Sequence, residues 1–110
     1  MAITYGSRER SGTVESTNLI AVVAATDGET VHTADFKDKT VFVNVSVNTG
    51  AVTVTIQASP DGVVWYDVRS DIHTATTALD VISFTDHFPY MRTRTTSQTN
   101  STVTTTIKAR

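Results

Sequence analysis

The sequence predicts an all-β protein, an antiparallel β-sandwich or jelly-roll-like small barrel of about eight strands. Three observations carry this expectation. Threonine fills 22 of the 110 positions and valine 15; both are β-branched and suit a pleated, half-buried surface better than a helix. Turn signals recur about every 8–12 residues, the spacing of short strands. Several segments alternate apolar and polar residues with period two, and none shows the three-and-four spacing of an amphipathic helix.

Taken in order, residues 1–12 (Met1 to Gly12) are polar and irregular and read as an N-terminal arm, either flexible or reaching a neighbour, with residues 13–110 as one domain. Leu19 to Ala25 is a continuous apolar run, which periodicity alone assigns neither to a buried strand nor to a helix. Asp27-Gly28 follows, a strong signal for a type I′ hairpin turn, and makes Thr30 to Phe36 the partner strand. Val41, Val43, Val45 and Val47 alternate with Phe42, Asn44, Ser46 and Asn48, so one face is pure valine. Asn48-Thr49-Gly50 reads as a tight turn with Gly50 in the left-handed region, and Val52, Val54, Ile56 and Ala58 as the apolar face of the return strand. In Ser59-Pro60-Asp61-Gly62, proline presets φ at the second position and glycine accepts a positive φ. Val63 to Val68 carries Trp65, expected partly in the core, and Tyr66. Leu79 to Thr85 and Tyr90 to Thr96 are strands, and Gln98 to Ser101 turns the chain into a last strand bearing Val103, Thr105 and Ile107 on one face.

Composition excludes whole classes. The net charge is −2 and the pI near 5.8, a poor electrostatic match for nucleic acid. No stretch approaches the roughly 20 apolar residues of a membrane-spanning helix, and the N-terminus has no signal-peptide h-region. The absence of cysteine removes disulfides, thiolate metal sites and a cysteine nucleophile. The initiator Met1 and plain end at Arg110 suggest a complete small protein.

Chemistry-bearing patterns are sparse. His32, His73 and His87 share no i, i+2 or i, i+4 spacing, so no local zinc pattern exists. Asp61, Asp67 and Asp71 follow one another but lack the dense spacing of a calcium loop, and turn-forming is the commoner role. Ser83, Asp86 and His87 are residue types of a hydrolase triad, but Ser83 has no nucleophile elbow and the adjacent Asp86 and His87 suit a relay poorly. The sequence therefore predicts no enzyme, no metal and no cofactor. The sequons Asn44-Val45-Ser46 and Asn100-Ser101-Thr102 are chance matches in a chain without a secretory signal. Phe42, on the polar face of the best strand, and Tyr90, Arg92 and Arg94, on one face of another, are interface candidates, because aromatic and arginine side chains are enriched at subunit contacts. Arg8 and Arg10 of the arm complete that set.

The stretch Phe36 to Val68, in which Val41-Phe42-Val43-Asn44-Val45 leads through a glycine turn to the passage Val52 to Asp67 with its Ser-x-Asp-Gly-x-x-Trp core (Ser59, Asp61, Gly62, Trp65), resembles small virion proteins of tailed bacteriophages. So does the ending Tyr90-Met91-Arg92-Thr93-Arg94 followed by a Thr/Val strand. The resemblance, over residues 36–68 and 88–110, covers about half of the chain and is greatest to head decoration (cement) proteins. It implies a β-sandwich, often a homotrimer, that stabilises a phage head by binding the major capsid protein lattice. On that reading the protein is made in the bacterial cytoplasm and resides on the capsid surface, without nucleic-acid or membrane partners. The alternatives are a tail- or fibre-associated sandwich and a carbohydrate-binding module with Trp65, Tyr66 or Tyr90 as stacking platform.

Overall fold

In a computed structural model, residues 3–4 and 14–110 are described. They form seven strands: β1 (Ile3–Thr4), β2 (Val14–Val22), β3 (Thr30–His32), β4 (Lys39–Ser59), β5 (Tyr66–Thr74), β6 (Ala78–Phe84) and β7 (Tyr90–Ala109). The expected all-β class is what the chain adopts. The organising elements are two strands of 21 and 20 residues, several times the common strand length of about 5–6. β4 and β7 pair antiparallel along their whole length, from Lys39 opposite Ala109 to Ser59 opposite Tyr90.

The register of this pair slips between Val45 and Val47, between Asn48 and Ala51, and between Ala51 and Thr53. Such irregularities bend and twist a strand pair. On β7 the same zone holds Ser97 and Asn100 with φ of 51° and 46°. On either side of this zone, different strands complete the sheet. β6 pairs with Lys39–Val45 and β5 with Ala51–Ala58 on the free edge of β4. β2 pairs with the Val103–Ala109 half of β7, and β3, extended in parallel by β1, with Tyr90 and Met91. The outcome is two layers, β2–β7–β4–β6 and β1–β3–β7–β4–β5, sharing their two central strands.

The layers face each other. Val41, Val43 and Val45 from one and Val52, Val54 and Ile56 from the other join Val31, Ile82, Met91, Val103 and Ile107 in one buried cluster. Thr93 and Thr105 bond hydroxyl to hydroxyl at 2.7 Å, although twelve residues of extended strand span about 40 Å. β7 must therefore fold across the sandwich.

Several sequence expectations change. Asn48-Thr49-Gly50 does not reverse the chain; β4 runs straight through it, because both flanking segments pair with β7 rather than with each other. The shift of inward valines from odd to even numbers, compatible with a turn, is the mark of the bulge. Gly50 does not take a positive φ; Gly62 does, at 77°, as expected. Gln98 to Ser101 is likewise a bend inside β7. Asp27-Gly28 makes no type I′ hairpin, since neither residue has positive φ and β2 and β3 both pair with β7. Of the apolar run Leu19–Ala25, only Leu19 is buried, and Ile20 and Val23 are 71% and 67% exposed. Val63 and Val64 belong to the turn before β5 and are exposed. Of the expected arm, Ile3 and Thr4 pair with Thr30 and Val31; the rest lies outside the described residues.

Candidate functional site

The outer surfaces of the two layers differ, and the difference begins in the alternation of the strands. In the β2–β7–β4–β6 layer, residues opposite one another across four strands form rows. One row is Val81, Phe42, Thr106 and Thr17; the next contains Leu79, Asn44 and Thr104. Phe42, Val81 and Leu79 are 41%, 63% and 81% exposed. Charge is confined to the end of this face, where Lys108 Nζ lies 3.3 Å from Glu15 Oε2. The centre is an uncharged surface of threonine, asparagine and large apolar side chains, about 14 Å across four strands, with a hollow at its edge lined by Asn44, Ser46, Thr77 and Leu79.

The other layer is covered only over Gln57 and Arg92, and Ile72 and Tyr66 of β5 stay 68% and 60% exposed. The turn Ser59 to Val64 is held by Ser59 Oγ, which accepts from Gly62 N at 2.8 Å, and by Asp61 Oδ1, which accepts from Val63 and Val64 N at 2.8 and 3.0 Å. Those two N–H groups, Val64 first, and then the Ser59 hydroxyl hold the Asp61 carboxyl below its ordinary range. The turn sets Trp65 on the guanidinium of Arg92, 4.4 Å from the ring centroid. Arg92 Nε donates to Gln57 Oε1 at 2.8 Å, and Gln57 Nε2 donates to Asp67 at 2.7 Å. Burial lowers the proton affinity of Arg92, against the pull of Asp27. The Trp65 Nε1 atom is buried without a hydrogen-bond partner among the described residues.

This arrangement separates the interface candidates. Phe42 stands on the open face, whereas Tyr90, Arg92 and Arg94 stand on the outer side of the opposite layer. Arg92 is buried under Trp65, Arg94 Nε lies 3.2 Å from Asp27 Oδ1, and Tyr90 is half-buried, edge-on to His32 at 5.3 Å. Arg8 and Arg10 lie outside the described residues. Val81 and Leu79, which adjoin Phe42, were missed because an alternating strand with two apolar faces does not announce which one is open.

A third cluster sits at the rim between the layers. His73 on β5 and Asp80 on β6 lie opposite the inward-facing Val52 and Val43, and Asp71 opposite Val54. His73 Nε2 is 2.9 Å from Asp80 Oδ2 and 3.1 Å from Asp71 Oδ2. Burial and then the Asp80 carboxylate raise Asp71 above the ordinary carboxylate range, His73 opposing. Asp80 is lowered, first by Asp71. Asp61 caps a turn, Asp67 holds Gln57 and Asp71 joins His73, so the three aspartates do not assemble.

No helix among the described residues is long and apolar enough to cross a membrane. No protein-family model and no curated protein matches the chain. Its fold is similar to that of the SPBc2 prophage-derived protein YomS, with TM-score 0.64, 14% identity, and coverage of 89% of this chain and 93% of that one. PirA is similar with TM-score 0.54, 16% identity, and coverage of 89% and 93%. At these identities the likeness is one of fold: the chain has a β architecture that a prophage-encoded protein shares.

Proposed function

We propose that the chain is a non-catalytic structural protein of a bacteriophage particle, a head decoration protein that seats as a trimer on the major capsid protein. The observation that supports this reading is the uncharged outer face built on Phe42, Val81 and Leu79. A contiguous apolar patch rimmed by uncharged polar groups suits a protein surface better than water. Its spread over four strands suits an extended partner better than a small molecule, which prefers a deep concave pocket. Weak contacts of this kind gain strength when repeated over a lattice. The phage origin of YomS agrees with the assignment. For the carbohydrate-binding alternative, Trp65 is stacked on Arg92 and Tyr90 is edge-on to His32, which leaves the 60% exposed Tyr66 as its platform.

Gold-labelled antibodies against the chain, applied to particles of the phage that encodes it, test the proposal by electron microscopy. Label over the heads is the expected result. Label confined to tails, or absent from particles, overturns it. Heads lacking the protein should bind the wild type but not Phe42→Glu.

A further inference from the structure

The open face leaves the rim cluster without a role. We infer that Asp71, His73 and Asp80 form a binding site for a first-row divalent cation such as Zn²⁺, which ties β5 to β6 and so one layer to the other.

The geometry is the first argument. Asp71 Oδ2, His73 Nε2 and Asp80 Oδ2 lie within 4.8 Å of one another, with the nitrogen 3.1 and 2.9 Å from the two oxygens. A cation about 2.0–2.2 Å from each such ligand holds neighbouring ligand atoms roughly 3–3.5 Å apart. Two of the three edges already have nearly that length.

Hydrogen-bond supply is the second. A neutral imidazole offers at most one N–H at Nε2, and two carboxylate oxygens converge on that nitrogen. It serves Asp80, and Asp71 Oδ2 is left buried without a hydrogen-bond partner. Among the described residues, no lysine or arginine forms an ion pair with either carboxylate. Two carboxyl groups thus converge on one nitrogen in a partly desolvated place, an arrangement that a bound cation would favour by supplying positive charge to both. A bound ion would give Asp71 Oδ2 its partner and take the lone pair of a deprotonated Nε2.

Placement and donor type complete the case. Asp71 and His73, two residues apart on one strand, point the same way, and Asp80 meets them from the next strand. The Asp71 and His73 side chains are mostly enclosed, while Asp80 at 38% exposure leaves an entry for the ion and for water to fill the remaining positions. One imidazole with two carboxylates suits Zn²⁺ or Mn²⁺; Ca²⁺ takes six to eight oxygens. The ion would act structurally, as a fastening between layers.

The test uses the whole chain, dialysed against chelator and titrated with ZnCl₂ and, separately, MnCl₂ in a calorimeter, with melting followed in parallel. Expected are one ion per chain, a melting temperature higher by several degrees, and a loss of affinity of more than about 100-fold in both His73→Asn and Asp80→Asn, beyond what an outer-shell change costs. If His73→Asn fails to fold, Asp80→Asn, altered at the most exposed ligand, carries the comparison alone. Binding that survives in Asp80→Asn overturns the assignment. So does a response to CaCl₂ but not to Zn²⁺ or Mn²⁺, or no response to any of the three.

Discussion

Asn18 Oδ1 accepts two hydrogen bonds from Thr93, one from its backbone N–H and one from its hydroxyl, both at 2.7 Å. The amide nitrogen of Asn18 donates to Glu29 O at 2.7 Å. The Thr93 hydroxyl is also 2.7 Å from Thr105 Oγ1, which accepts from Leu19 N. A single side chain on β2 thus satisfies polar groups in the opposite layer. Asn18→Ala should cost about 2–3 kcal/mol, since it orphans a buried N–H and a carbonyl together. Urea denaturation of the two proteins measures this, and a loss below about 0.5 kcal/mol would refute the role given to Asn18.

Gly50 sits where the bends of β4 and β7 cross. A Cβ there would overlap the carbonyl oxygen and hydroxyl of Thr99. Gly50→Ala should therefore destabilise by at least about 1–3 kcal/mol, the range of overpacking, at a residue that needs no left-handed backbone. Gly62 makes the contrast. A Cβ there has ordinary room beside Tyr90, but the φ of 77° costs an L-residue about 1–2 kcal/mol. Thermal melts of both variants separate a steric from a conformational need for glycine.

Trp65 is the single tryptophan, so its fluorescence reports one place. Arg92→Ala removes the cation under the ring and leaves Gln57 Oε1 without its donor. Emission should shift to the red and stability should fall by about 1–3 kcal/mol. An unchanged spectrum would mean that the stacking is not populated in solution.

Asp61 sets an acid limit on its turn. Its folded-state pKa is depressed, so the stability it contributes is fully present above its unfolded value near 3.8 and is lost as pH falls through the lower, folded value. Asp61→Asn should melt below the wild type at pH 6, and the gap should close between pH 4 and pH 2. A gap independent of pH would assign the effect to shape rather than charge.

Phe42 should be dispensable to the fold. At 41% exposure more than half of the ring is still covered, so Phe42→Ser should cost about 1–2 kcal/mol, less than a core truncation, and leave the fold intact. If this face makes the contact of the proposed trimer, light scattering of the wild type should show three chains and the same change should shift it towards monomer.

Much of the architecture was legible in the chain. The β class and the inward sets Val41/Val43/Val45 and Val52/Val54/Ile56 follow from alternation alone. Strand connectivity did not. A glycine flanked by asparagine and threonine signals a local break, but a hairpin turn and a bulge in a long strand draw on the same residues. The choice between them depends on which distant segment offers hydrogen bonds, and here β7, some fifty residues on, supplies them. The rim cluster was illegible for a related reason: His73 and Asp80 are seven apart, and only the crossing from β5 in one layer to β6 in the other brings them together. Arg92 looked like a surface residue because nothing local shows that Trp65 lies over it.

The shared central strands also bear on how the molecule assembles in time. Lys39 must find Ala109, and Ser59 must find Tyr90, before either layer has its middle. Neither layer is a contiguous stretch of chain, so neither offers an early, self-sufficient nucleus. Such long closures come at an entropic disadvantage, and folding over milliseconds to seconds is expected. The return path is equally constrained. Peeling one layer away means straightening β4 and β7 at their bends, which strips the valines of the other. Unfolding should therefore be a single concerted event, giving the chain a persistence set by its barrier as much as by its equilibrium.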